Sequence, residues 1–250
     1  MEWTDEAIVL GARRHGESSA VVQLLTRSHG RHAGLMRGAM SKRNRALIEP
    51  GNRVQASWRA RLADHLGLLT VEGVRQTAAA LMRAPRRLAG LASACAIAEA
   101  ALPEREPHQA LYDGLLALLA VMEAHEHGDA VWPAAYVRWE LGVLGELGFG
   151  LDLTKCASTG ATENLVYVSP KTGRAVSAEA GEPYKDRLLA LPAYLVDRGP
   201  ADQQGMIDGL TLTRYFLQRH VFDPVHKRVP AARDRLASVI ANGAEPTAEP

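Results

Sequence analysis

Near Leu81 the apolar repeat of this chain changes from strand-like to helical spacing, and that change divides it into a strand-forming and a mainly helix-forming part. Before it, the clearest period of two runs over residues 52–61, where Val54, Ala56 and Trp58 alternate with Arg53, Gln55, Ser57 and Arg59. Such alternation gives a strand one apolar and one wet face. Residues 7–14 and 20–26, rich in Val, Ile and Leu, flank the turn-like His15-Gly16-Glu17-Ser18-Ser19, and residues 31–38 and 66–74 add two further strands. Five short strands in about 80 residues suit a small barrel, for which a five-stranded OB-fold and an SH3-like barrel serve almost equally.

Beyond Leu81 the spacing is helical. Pro85 opens a helix through Leu88, Leu91, Ala92, Cys95 and Ala98, and Pro107 another through Leu111, Leu115, Leu118 and Met122. Residues 132–147 place Ala135, Trp139, Val143 and Leu147 on one face and Val137, Leu141 and Leu144 on another, before Gly148-Phe149-Gly150. Apolar on both sides, this segment is expected to be the central helix. Glycines and prolines around Leu165-Val166-Tyr167-Val168 predict a small hairpin-like insertion over 152–184. Helical spacing returns at Ile207, Leu210, Arg214, Leu217 and Val221, and more weakly over 231–240. The expected organisation is a barrel domain over 1–80, a helical domain over 81–242 carrying the β insertion, and a disordered tail over 243–250.

At 250 residues and 47% hydrophobic, the chain has enough apolar surface for one large core or two smaller ones. No stretch approaches the roughly 20 apolar residues of a membrane span. The acidic start Met1-Glu2-Trp3-Thr4-Asp5-Glu6 is unlike a signal peptide, so a cytoplasmic location is expected, with Cys95 and Cys156 as free thiols.

The charges are sorted by position. Residues 11–61 hold eleven Lys or Arg against Glu17 and Glu49, a net +9, while the rest of the chain carries 18 basic and 26 acidic residues. The total of +1 hides this asymmetry. A basic run is often only a solvated face. Here the cations lie inside strand-like segments, where a fold adds their fields, and around an expected exposed loop, Ser41-Lys42-Arg43-Asn44-Arg45. Nucleic acid is therefore the first partner to consider. His29 and His32, in the same segment, are expected to add charge to that surface.

No nucleophile elbow, phosphate loop or metalloprotease helix is present. Gly148-Phe149-Gly150 has Leu153 where a dinucleotide loop needs its third glycine, and it reads as a helix cap. His125-Glu126-His127 spreads over different sides of a helix and reads as a solvated helix end. Cys95 suits a core position. Cys156-Ala157-Ser158-Thr159-Gly160 has the layout of a zinc knuckle with threonine at its second ligand position, and one thiolate does not hold a structural zinc.

Two stretches together resemble one family. Residues 7–42, through Ala7-Ile8-Val9-Leu10, Glu17, Thr26, Gly30 and Arg37-Gly38-Ala39-Met40-Ser41-Lys42, are similar to the N-terminal domain of the bacterial recombination mediator RecO. Arg138-Trp139-Glu140-Leu141, Leu144-Gly145-Glu146-Leu147-Gly148-Phe149-Gly150-Leu151-Asp152 and Cys156 resemble that family's central helix running into its zinc-binding region. The resemblance spans about residues 7–184. It implies an α+β protein: an N-terminal five-stranded OB-fold barrel, then an α-helical C-terminal domain with a small zinc-finger-like insertion. It implies a role in recombinational DNA repair without enzymatic turnover, in the cytoplasm and associated with the nucleoid. The implied partners are single- and double-stranded DNA, whose complementary strands it anneals, RecR, the C-terminal tail of single-stranded DNA-binding protein (SSB) and, indirectly, RecA; no membrane is involved. The zinc-bearing members use two Cys-x-x-Cys pairs, whereas this chain has Cys156 with Thr159, and Ser177 and Ala180 where the second pair would fall. The insertion is therefore expected to fold without metal, and no cofactor is expected.

The first 80 residues contain two aromatics, Trp3 and Trp58, so base stacking is thin and phosphate contacts are expected to supply most of the affinity. The DNA-binding candidates are Arg37, Lys42, Arg43 and Arg45 on the loop, with Arg13, Arg14, Arg53, Arg59 and Arg61 around it; Lys227 and Arg228 would extend the track. The acidic SSB tail ends in an apolar residue and needs a greasy pocket rimmed by a cation. By resemblance that pocket is in the helical domain, with Arg138 and Leu141, and Leu111 and Tyr112 on the preceding helix, as candidates; the leucines suit a core equally. Two other classes fit less well. An RNA-binding OB protein of translation or RNA processing would use the same charge, whereas a phosphodiester-cleaving enzyme would need a carboxylate cluster that does not stand out.

Overall fold

The computed structural model describes residues 1–62, 64–124, 131–196 and 199–243. Its chain forms two compact units, Met1–Glu123 and Ala124–Pro250. The expectations for residues 125–127 and for the tail, apart from Gly243, lie outside the described residues.

The first unit contains a closed barrel of five strands: β1 (Glu2–His15), β2 (Ser19–Thr26), β3 (Gly30–Met36), β4 (Arg53–Arg59) and β5 (Leu68–Arg75). Neighbours run β1-β2-β3-β5-β4, and β1 closes the ring against β4. All pairings are antiparallel except a short parallel contact at Leu35 and Leu68. This five-stranded arrangement is OB-like and settles the alternative that the strand pattern left open.

Closure depends on β1, whose first half pairs with β4 from Glu2–Arg59 to Ile8–Arg53 and whose second half pairs with β2 from Ala7–Thr26 to His15–Ser19. A register shift between Val9 and Gly11 bends the strand between its two partners. The acidic residues 2–6, unread as strand in the sequence, are the part that reaches β4. Asp5 earns its buried place there: its carboxylate accepts from the Ser28 N–H at 2.7 Å and lies 3.1 Å from His29 Nδ1, holding the β2–β3 turn.

Alternate residues of β3 point inward, among them His32, Gly34 and Met36. The core packs Val9, Val22, Leu24, Met36, Val54, Trp58 and Leu69. Gly34 lets β3 and β5 approach, since a Cβ there would lie 2.7 Å from Leu69 Cβ. Gly67, at φ +69°, sits over the Trp58 indole, 2.3 Å from where its own Cβ would be. The indole N–H donates to Leu66 O at 2.8 Å.

Residues 41–45 are not the exposed loop the sequence predicts. They begin α1 (Lys42–Leu47), where Ser41 Oγ accepts from the Asn44 N–H and Asn44 Nδ2 donates to Gly38 O at 3.0 Å. Glycine-punctuated composition obscured a helix set by its cap.

Three helices complete the unit: α2 (Thr77–Ala80), α3 (Pro85–Ala101) and α4 (Gln109–Glu123). Leu91 of α3 packs on Gly51, and the Cys95 thiol reaches Val9 O at 3.7 Å. Arg31 Nε donates to Leu102 O at 2.8 Å, the Arg105 N–H donates to Arg31 O at 2.8 Å, and Arg27 lies 4.9 Å over the Tyr112 ring of α4. Thus α3 and α4 belong to the barrel's compact unit, which ends at Glu123. The period changes where the secondary structure changes; the core ends later.

The second unit is built on α5 (Val131–Glu146), which buries Trp132, Tyr136, Val137, Trp139, Val143 and Leu144. These buried residues include members of both of the apolar faces read in the sequence, while Val131, Arg138, Gly142 and Gly145 leave one stripe of the helix exposed. A small sheet of order β7-β6-β8 follows, from β6 (Leu165–Val168), β7 (Ala175–Ser177) and β8 (Leu189–Ala190), with α6 (Ala178–Gly181) after β7. Then come α7 (Gln203–Phe216), a π-helical turn over Leu217–Phe222 and α8 (Ala231–Ala241). Asp202 caps α7, accepting from the Gly205 N–H at 2.7 Å. No helix among the described residues is long and apolar enough to cross a membrane.

Candidate nucleic-acid interface

Topology brings one subset of the predicted cations to connected loops. The β1–β2 turn touches the segment before α1 through the Met40 N–H, which donates to Ser18 O at 3.1 Å. Arg14 staples that turn from inside, Nε to Gly16 O at 3.0 Å and Nη2 to Glu17 O at 3.2 Å, and remains exposed. Arg37 follows β3 directly, and Lys42, Arg43 and Arg45 ride on α1; all four are exposed. Leu35, two residues before Arg37, donates its N–H to Gly67 O at 3.0 Å. That bond ties the end of β3 to the β4–β5 connection, where Arg59, Arg61 and His65 line an open groove of about 570 Å³. Composition did not single out His65; its position in the turn after Arg59 and Arg61 was the available signal.

The cations differ in how free they are. Among the described residues, no carboxylate lies within ion-pair distance of Arg14, Arg37, Lys42, Arg43, Arg45, Arg53, Arg59 or Arg61. Arg27 is held by Glu6 and Asp113, and Arg31 by Glu104 at 3.1 Å. Neither was a candidate. Arg13 meets Glu99 of α3 at 2.8 Å but stays 79% exposed. Arg53, half-buried at the start of β4, acts electrostatically on Tyr112 of α4, and Asn52 beside it donates to the Ala46 and Leu47 carbonyls of α1.

His32 does not add charge as expected. His32 points into the barrel, edge-on to Trp3 and Trp58 at 5.0 and 4.7 Å, and neither ring nitrogen has a hydrogen-bond partner. Burial first, then the Arg105 charge, push its pKa down to about 4, so it is neutral at pH 7. His29 stacks on Trp3 at 4.5 Å, and Trp3 on Trp58 at 5.8 Å. The barrel's aromatics are spent on each other, which leaves phosphate contacts as the accessible chemistry.

The four SSB-tail candidates do not fall in one unit. Leu111 and Tyr112 are buried in α4 of the first unit. Arg138 and Leu141 lie on α5 of the second, Arg138 exposed and Leu141 half-buried. The Arg138 guanidinium donates to Tyr194 O and lies 5.4 Å over the Tyr194 ring.

Cys156 is buried, and Ser177, one of the two residues where the resemblance puts the second pair, lies beside it. Its sulfur accepts from the Ser177 N–H at 3.3 Å and lies 3.5 Å from Ser177 Oγ. Burial raises the thiol pKa, but hydrogen bonds from Thr159 and Ser177 outweigh it and bring the value to about 6. Ala180 has no donor atom to offer a metal. The donor set is one thiolate and two hydroxyls already turned toward it, and it does not fit a structural zinc. Among the described residues, no three His, Cys, Asp or Glu side chains converge into a metal site.

Sequence profiles described as "Recombination protein O N terminal" and "Recombination protein O C terminal" match residues 1–77 and 82–228. The chain belongs to the RecO family. Its relatives include "DNA repair protein RecO" of Rhodospirillum centenum, 58% identical over 238 residues that cover 94% of this chain and 93% of that one. The protein of the same name from Rhodospirillum rubrum is 52% identical over 239 residues, 94% of this chain and 95% of that one. That of Phenylobacterium zucineum is 50% identical over 242 residues, 95% and 98% of the two chains. The RecO profiles part between residues 77 and 82, near the change of period, while the compact units part after Glu123.

Proposed function

We propose that this RecO-family chain is a DNA repair and recombination mediator that binds single- and double-stranded DNA through its barrel unit and anneals complementary strands. The observation that carries this reading is the group Arg14, Arg37, Lys42, Arg43 and Arg45: exposed, without ion pairs among the described residues, and on connected loops at the β1–β2 turn and α1. Arg59 and Arg61 continue it along the groove. Cations that contact phosphates leave base edges uncovered, so two strands are neutralised while still able to pair. The relatives named for DNA repair favour DNA over RNA as the substrate.

In this reading the protein works in the cytoplasm at the nucleoid, without catalytic turnover and without zinc. It acts with RecR to load RecA onto SSB-coated DNA. Of the residues considered for the SSB tail, Arg138 and Leu141 are the accessible pair, three apart on α5, a cation beside an apolar side chain.

The test is annealing of complementary oligonucleotides precoated with the cognate SSB, comparing the natural chain with Lys42→Ala/Arg43→Ala/Arg45→Ala. Stimulation that is lost in the variant is the expected result. Absence of annealing by the natural chain at low salt, with tighter binding to structured RNA, would overturn it.

A further inference from the structure

The second unit carries 13 basic and 16 acidic residues, so a basic site there needs a local cause. Several of its cations are taken up internally. Arg214 meets Asp234 at 2.9 Å, Lys185 meets Glu182 at 2.7 Å and Arg233 meets Glu140 at 2.6 Å, while Arg138 and Arg219 donate to the carbonyls of Tyr194 and Pro170. Lys155, Lys171, Arg187 and Arg235 are exposed without an ion pair among the described residues, and so are Lys227 and Arg228, which one loop holds side by side.

Their loop is built to hold them. The π-helical turn Leu217–Phe222 carries Gln218, whose Nε2 donates to Lys227 O at 3.0 Å and to Asp223 Oδ1, while its Oε1 accepts from the Val229 N–H at 3.0 Å. The Lys227 N–H donates to Phe222 O at 2.9 Å, and His226 takes a left-handed conformation at φ 55°. π-turns recur at functional sites, and a non-glycine residue held left-handed persists where its surroundings over-determine it. One amide side chain thus fixes the backbone on both sides of Arg228, so little ordering is left to be done on binding.

Lys227, Arg228 and Arg214 line an open groove of about 970 Å³ together with Asp223 and Asp234. Both carboxylates are already engaged, Asp223 by Gln218 and Asp234 by Arg214. Val229, which also borders the groove, is buried, and the exposed Val225 of the same loop is not among the groove's lining residues, so the described lining offers no large exposed apolar anchor such as an acidic peptide would need. Exposed cations without an apolar anchor fit a phosphodiester backbone.

We propose that the Gln218-clamped loop is a second phosphate-binding surface, by which the helical unit holds a nucleic-acid strand in addition to the barrel cations. This rests on the DNA-binding reading above. The test is a salt titration of fluorescent oligo(dT) binding by the full chain, comparing Lys227→Ala/Arg228→Ala and Gln218→Ala after matching their melting temperatures to that of the natural chain. Losing two phosphate contacts should flatten the log K against log salt slope by about 1.4, at about 0.7 per contact on a single strand. Gln218→Ala should weaken binding several-fold with the slope nearly kept, because the charges stay and only their positioning is lost. A double-variant slope equal to that of the natural chain would overturn the proposal, as would a loss confined to binding of an acidic peptide. If the natural chain binds and the barrel triple variant alone loses slope, the DNA-binding reading stands without the second surface. If the natural chain fails to bind even at low salt, both fall.

Discussion

Arg233 and Glu140 face each other with neither side chain exposed, Nε 2.6 Å and Nη2 3.0 Å from the two carboxylate oxygens. Tyr136 donates its hydroxyl to the same carboxylate at 2.9 Å, and Thr213 donates to its other oxygen. Glu140 therefore ties α5 to α7 and α8 from the middle of the central helix.

Breaking this pair from one side strands a charge in the core. Glu140→Ala is expected to destabilise the second unit by about 3–5 kcal/mol, whereas replacing both partners with leucine should cost much less. Chemical denaturation of the two variants checks this, and equal losses would contradict it.

His32 makes barrel stability depend on pH. Its folded pKa of about 4 lies below the ordinary 6.5, so as pH falls the unfolded chain takes up the proton first. The contribution is fully present above pH 6.5 and is lost as pH falls toward 4, up to about 3 kcal/mol. His32→Phe, of similar size and with no ring nitrogen to protonate, should flatten the denaturation midpoint between pH 6.5 and 4. A variant as pH-sensitive as the natural chain would show the loss to lie elsewhere.

The two cysteines are expected to ionise far apart. Burial and the nearby Glu99 charge push Cys95 up to about 12, while the Thr159 and Ser177 hydrogen bonds bring Cys156 to about 6. Thiolate absorbance of the folded protein should rise by one equivalent near pH 6, unaffected by a chelator. Ser177→Ala should move that step upward. A single two-equivalent step near pH 9 would contradict the hydrogen-bonded knuckle.

Much of this was legible in the sequence because alternation and burial coincide. Val54, Ala56 and Trp58 do face the core, and Pro85 does open a helix. The acidic start of β1 was not legible, because its Asp5 is buried through turn hydrogen bonds that no local pattern announces. Helix α1 hid behind loop-like composition. Charge sorting marked the segment that carries these cations, but a count of cations cannot tell Arg31, held by Glu104, from Arg37, which has no such partner among the described residues. The partners of Arg27 and Arg31 include Asp113 and Glu104, far along the chain, so only the fold separates spent charges from available ones. The expectation for His32 failed for a related reason: charge at a phosphate surface needs solvent, and His32 faces two indoles.

The most direct test of the central claim is the salt dependence of oligo(dT) binding by the natural chain and by Lys42→Ala/Arg43→Ala/Arg45→Ala. With roughly five phosphate contacts at the barrel, the natural slope should be about −3 to −4, and steeper by up to about 1.4 if the Lys227–Arg228 surface engages the same strand. Removing three barrel contacts should flatten it by about 2 and weaken binding alike on every sequence tested. A slope unchanged by the triple substitution would show that the α1 cations do not touch the phosphates.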